Sequence, residues 1–154
     1  MNRYVHAIFC DDIRQEAGAK QTLVGIYRDQ LQLPAIPVVL PRLCVVVDVV
    51  TPVTQPFDHL VIQASLGEQQ IARAELAASD LRSLRETASR LRESSGPEAR
   101  ITFSANFVFS PLQIDHATLL GVRVDTGAEE LRANALRIVL APDAIPAPTS
   151  QRMH

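Results

Sequence analysis

Apolar residues fall at every second position through most of this chain, and the exceptions to that period mark its joints. From Tyr4 to Cys10 both parities are apolar: Val5, Ala7 and Phe9 on one side, Tyr4, Ile8 and Cys10 on the other. That pattern predicts a strand covered on both faces. Asp11 and Asp12 interrupt the run, and aspartate side chains start turns by bonding nearby backbone N–H groups. The spacing therefore predicts a charged loop from Asp11 to Lys20, with Gly18 supplying positive φ near its end. Gln21 to Tyr27 alternates again, and Gly25 inside it marks a bulge or a close backbone approach. A tight turn at Arg28-Asp29 leads to a third short strand, so Tyr4 to Leu33 reads as a β-meander.

Pro34, Pro37 and Pro41 remove ladder donors and predict an extended crossover or an edge. Leu43 to Val50 is the most apolar strand. Asp58 to Leu66 and Gln69 to Leu76 form a hairpin with one wet face. Between Ser79 and Ser95 the period changes: Leu81, Leu84, Ala88 and Leu91 make one helical stripe, Ser79 or Asp80 is the expected cap, and Glu86 and Arg90 stand at i,i+4. Arg100 to Ser110 returns to strict alternation, with Ile101, Phe103, Ala105, Phe107 and Phe109 as the expected core face. Leu119 to Val124 and Glu130 to Leu140 follow, joined by a turn at Asp125-Thr126-Gly127. A parity change predicts a bulge near Ala133-Asn134. The fold class is mainly β, a two-sheet antiparallel β-sandwich with one inserted helix near residues 79–95. The expected organisation is one domain over residues 1–141, with a disordered Pro/Ala-rich tail over 142–154.

Composition narrows the chemistry. The chain has 154 residues, enough to bury a core without staples. Fifteen basic residues meet 17 acidic ones, a net charge of −2 that implies no nucleic-acid partner. The arginines of the helix are balanced by Asp80, Glu86 and Glu93, as on a solvated face. No apolar run is long enough to span a bilayer and no leader pattern opens the chain, so a cytoplasmic protein is expected. Cys10 and Cys44 are too few for a disulfide framework and sit in apolar runs, as buried free thiols do.

There is no phosphate-binding glycine loop, no zinc spacing and no serine nucleophile elbow. Cys10 adjoins two carboxylates, which raise a thiol pKa and so oppose a nucleophilic role. Catalytic residues and cofactors are therefore not assigned. Acid and base groups gather at Asp11, Asp12, Arg14 and Glu16, the candidate binding residues. Asp58, His59, Asp115 and His116 fall at strand ends, where they could hold calcium or a transition metal.

The segments AIFCDDIRQEAGAKQTLVGIY, LCVVVDVVTP and LGVRVDTGAEELRANALRI resemble a bacterial family built on a domain of unknown function. That resemblance implies an all-β domain and transfers no catalytic residue. The expected function is a non-catalytic binding or assembly module, with a protein partner or a second copy covering one sheet face. The alternative is a metal-dependent binder or enzyme working through the acidic loop ends.

Overall fold

A computed structural model describes residues 2–142. The expected tail, from residue 143 onward, lies outside the described residues. Twelve strands and one helix follow in chain order: β1 (Tyr4–Glu16), β2 (Lys20–Tyr27), β3 (Gln30–Leu33), β4 (Val38–Leu40), β5 (Leu43–Pro52), β6 (Val61–Leu66), β7 (Gln69–Glu75), α1 (Ala78–Ser95), β8 (Arg100–Phe109), β9 (Leu112–Ile114), β10 (Thr118–Asp125), β11 (Glu130–Arg132) and β12 (Leu136–Leu140). The first sheet runs β2-β1-β5-β8 and is antiparallel throughout. The second runs β3-β12-β10-β6-β7, with β11 beside β10. A small β4-β9 pair makes a third sheet, and none closes into a barrel.

The protein is mainly β, as the alternation predicts. The inward positions of the first sheet are Ala7, Phe9, Val45, Val47 and Val49. They share one core with Ile62, Leu120, Val122, Val124 and Ile138 of the second sheet. Leu112 and Ile114 of β9 join that core. Helix α1 connects β7 to β8 and so crosses from one sheet to the other. Leu81 enters the main core, and Ala88 packs with Val53 and Ile101 in a smaller cluster. The helix takes no side-chain cap, because the N-cap is Ala77; Ser79 and Asp80 lie inside its first turn. There Asp80 faces the positive end of the helix dipole. Arg90 donates to Thr87 Oγ1 at 3.3 Å, the bond found in place of the expected pair with Glu86.

Three expectations are corrected. The charged segment after Cys10 is strand, not loop: β1 continues to Glu16 and the turn shrinks to residues 17–19. Ile13 opposite Leu23 and Phe9 opposite Tyr27 extend the inward row, so pairing outweighs the turn preference of the aspartates. The third strand does not complete a meander. It leaves for the second sheet, where β3 lies parallel to β12. Finally, the last strand does not merely bulge; it breaks into β11 and β12.

Asn134 explains that break. β2 pairs with β1 only from Phe9 onward, which leaves the start of β1 with a bare edge. The Asn134 side chain fills it. Its Oδ1 accepts from Ala7 N–H at 3.0 Å and its Nδ2 donates to the Ala7 carbonyl at 2.8 Å. One amide side chain thus replaces one residue of a missing strand and ties the second sheet to the first.

Asn134→Ala should destabilise the fold by about 1–3 kcal/mol, since both backbone groups of Ala7 lose their partner. Equilibrium denaturation measures this, and a change below about 0.5 kcal/mol would remove Asn134 from its assigned role.

The inward phenylalanines of β8 give a second expectation. Phe103, Phe107 and Phe109 are only half-buried, because β8 is an edge strand. Phe9 is fully buried. Phe9→Ala should therefore cost about 3–5 kcal/mol, and Phe107→Ala clearly less. Equal losses would contradict the edge position of β8.

Candidate functional site

The outer face of the first sheet carries the unusual chemistry. Strand register lines its side chains into rows across the sheet. One row reads Ile26, Cys10, Cys44, Val108. The next reads Ile8, Val46, Asn106, then His6, Asp48, Ser104, then Tyr4, Val50, Thr102. Both cysteines, Val46 and Val50 are buried yet belong to neither core cluster. Around them, Tyr4 is 51% exposed, Val24 39%, Ile26 55% and Val108 47%. An apolar strip thus crosses all four strands on the side away from the core.

The hairpin of β1 and β2 continues this face with charge. Asp12, Arg14 and Glu16 share the parity of Cys10. Asp12 meets Arg42 Nε at 3.0 Å, and its Oδ1 accepts from Ile13 N–H at 2.9 Å. Glu16 accepts from Thr22 Oγ1 at 3.1 Å, and Arg14 is exposed. Three of the four candidate binding residues therefore border the apolar strip together.

Asp11 points the other way. Its carboxylate accepts a short hydrogen bond from the Tyr27 hydroxyl and lies over Gly25. Gly25 holds φ +69°, and a Cβ there would collide with that carboxylate. The expected close backbone approach at Gly25 is this contact. Burial and the Asp11 bond push Tyr27 up to about 12. Burial first, then Cys44 and Asp11, pushes Cys10 up to about 11. The Cys10 thiol thus stays protonated at neutral pH, and neither cysteine is bonded to the other although they are direct cross-strand neighbours.

The row of His6, Asp48 and Ser104 invites comparison with a hydrolase triad. Ser104 Oγ donates to Asp48, and His6 stands opposite Asp48 on the far side. The carboxylate separates hydroxyl from imidazole, whereas a serine nucleophile must pass its proton to the imidazole. The row is a polar patch within an apolar face.

The expected metal residues do not converge. His59 Nε2 lies 3.6 Å from Asp125, and Asp58 lies 3.3 Å from Arg85. Asp125 ends β10, while Asp115 and His116 precede its start. The two dipeptides therefore flank opposite ends of an eight-residue strand. Among the described residues, no three His, Cys, Asp or Glu side chains gather closely enough to hold a metal ion.

Sequence reasoning missed a groove of about 580 Å³ on the second sheet, floored by Gly121 where β11 and β12 part beside β10. Arg123 and Arg132 line it, and both lean on Glu130, at 4.0 and 3.5 Å. It also missed the roles of Arg42 and Tyr27. The one available signal for the outer face was the apolar content of both parities in β1 and β5.

Fold and surface together define a mainly β domain with an apolar strip on the outer face of its first sheet. The chain belongs to the family of unknown function DUF6941, whose model matches residues 5–139. Comparison with curated proteins and with solved structures gives no match. Among the described residues, no helix is long and apolar enough to cross a membrane.

The raised thiol and phenol values set a pH expectation. Both groups keep their protons longer in the folded state than in the unfolded chain. Above about pH 9 the unfolded state loses protons first, so stability falls as pH rises through 9 to 12. Tyr27→Phe should flatten the upper part of that fall. Identical alkaline melting profiles for the two proteins would contradict the assigned environment of Tyr27.

Proposed function

We propose that this domain is a non-catalytic binding or assembly module that seats a protein partner on the outer face of its first sheet. The carrying observation is the row of Ile26, Cys10, Cys44 and Val108, uncharged across four strands, with exposed Val24 beside it and exposed Tyr4 three rows away on the same face. Burying apolar area stabilises association by about 25 cal/mol per Å² before the costs of binding. Tyr4 supplies an aromatic anchor of the kind that dominates interfaces. Asp12, Arg14, Glu16 and Arg42 supply a charged rim, and rim charges steer encounter more than they add affinity. The buried, unbonded thiols of Cys10 and Cys44 suit a reducing cytoplasmic setting, which belongs to the same proposal. The metal-dependent alternative has weaker support, because its two dipeptides lie at opposite ends of β10.

The test replaces exposed apolar atoms without touching the core. Val24→Ser with Ile26→Ser, and separately Tyr4→Ser, should leave stability within about 0.5 kcal/mol of the parent. Affinity capture from native extract should then lose the partner that the parent retains. Arg14→Ala with Glu16→Ala should weaken capture mainly at low salt. If the serine variants capture the same partner as the parent, the outer face is not the docking surface.

A further inference from the structure

The exposed edges of this protein are not alike. An edge strand presents unpaired N–H and C=O groups, and natural sheets blunt it with charge, bulges, short length or cover. The β2 edge carries Lys20 and is distorted at Gly25, where φ is +69°. The β7 edge carries Arg73 and Glu75, held together at 3.0 Å, and its register shifts opposite Ala64 and Ser65. The β3 edge is four residues long and runs into Pro34. The bare start of β1 is filled by Asn134.

β8 has none of these devices along most of its length. It pairs with β5 at ten consecutive positions without a shift, and among the described residues no strand lies on its other side. From Ile101 to Phe109 it contains no charge, no glycine and no proline. Helix α1 packs against its beginning, through Ala88 on Ile101. Beyond that point Phe103, Phe107 and Phe109 are half-buried against the main core, with the Phe107 and Phe109 rings stacked at 6.4 Å. Val108 stands exposed on the opposite face.

We infer that the β8 edge is a self-pairing surface: β8 of a second copy lies antiparallel against it and joins the two first sheets into one eight-stranded sheet. The occupant follows from the edge itself. Unpaired backbone groups in a row are complemented by an extended chain, and an antiparallel pair places residues of the same face opposite each other. Turned about a two-fold axis near Ala105, the segment meets itself with Phe103 opposite Phe107, and Thr102 opposite Val108. No like charges oppose each other over Ile101 to Phe109, because the segment has none. The half-buried phenyl rings then gain an apolar neighbour, and the contact is isologous and closed, as two-fold dimers require. This surface is an edge, distinct from the outer face proposed above as a docking site, and either reading can fail alone.

Sedimentation velocity on the full chain, from low micromolar to several hundred micromolar, should show a monomer converting to a dimer. Amide hydrogen exchange over the same range should slow within Ser104–Phe109 and stay constant in β2 and β7. Thr102→Lys with Asn106→Lys places lysines opposite or diagonal to one another across any such axis. Both positions are exposed, so folding, checked by circular dichroism and thermal melting, should persist while dimerisation weakens at least tenfold. Val24→Ser with Ile26→Ser should dimerise like the parent. A chain that stays monomeric throughout overturns the inference, even if its edge captures a strand from another protein. So does a dimer unaffected by the two lysines, or one whose protection appears on β2, β7 or the outer face.

Discussion

Strand β5 is buried on both faces, and that constraint organises the rest. Leu43, Val45, Val47 and Val49 face the core; Cys44, Val46 and Val50 face outward and are buried as well. A strand with no polar face must sit inside a sheet, so β1 and β8 take its two sides. Only Asp48 breaks the outward row, and Ser104 on the neighbouring strand supplies its hydrogen bond. The second sheet covers the inner face of β5. Among the described residues no second layer covers its outer face, so the first sheet carries apolar surface beyond what the core uses.

Much of the architecture was legible because alternation survives wherever one face of a strand is buried. β6, β8 and β10 were read directly, and the helical stripe gave α1 to within a residue of its start. What failed was local chemistry set against pairing. Asp11 and Asp12 are good turn residues, yet Ile13 and Leu23 hold the strand straight through them. The break at Asn134 looked like a bulge because only a parity change is visible in sequence. Its cause, an unpaired Ala7 more than a hundred positions away, is a tertiary fact.

The candidate site was legible in the same uneven way. Arg14, Glu16 and Asp12 fall on one parity of β1, so their common face follows once the segment is known to be strand. Asp11 was grouped with them by proximity in sequence, but strand geometry sends it to the opposite side. There it meets Tyr27 and occupies the space over Gly25. The metal candidates failed for the converse reason. Neighbouring residues in a dipeptide suggested shared chemistry, but nothing in the sequence said which end of the sandwich each loop occupies.

The two sheets differ in how they dress their outer faces. Both sheets bury one face in the same core, and each could present a polar outer side, as antiparallel sheets commonly do. The second sheet does so: one of its rows reads Arg73, Gln63, Arg123, Arg132, and another ends in Asp125 and Glu130. The corresponding row of the first sheet reads Ile26, Cys10, Cys44, Val108. Folding places little demand on the exposed ends of that row, and a lysine or threonine at Ile26 or Val108 would pair equally well in the ladder. The same holds along the β8 edge, where one charge would blunt association without disturbing the core beneath it. An apolar row and an uncharged edge on one sheet, beside a second sheet whose outward rows carry charge, are the features on which the proposed docking and self-pairing rest.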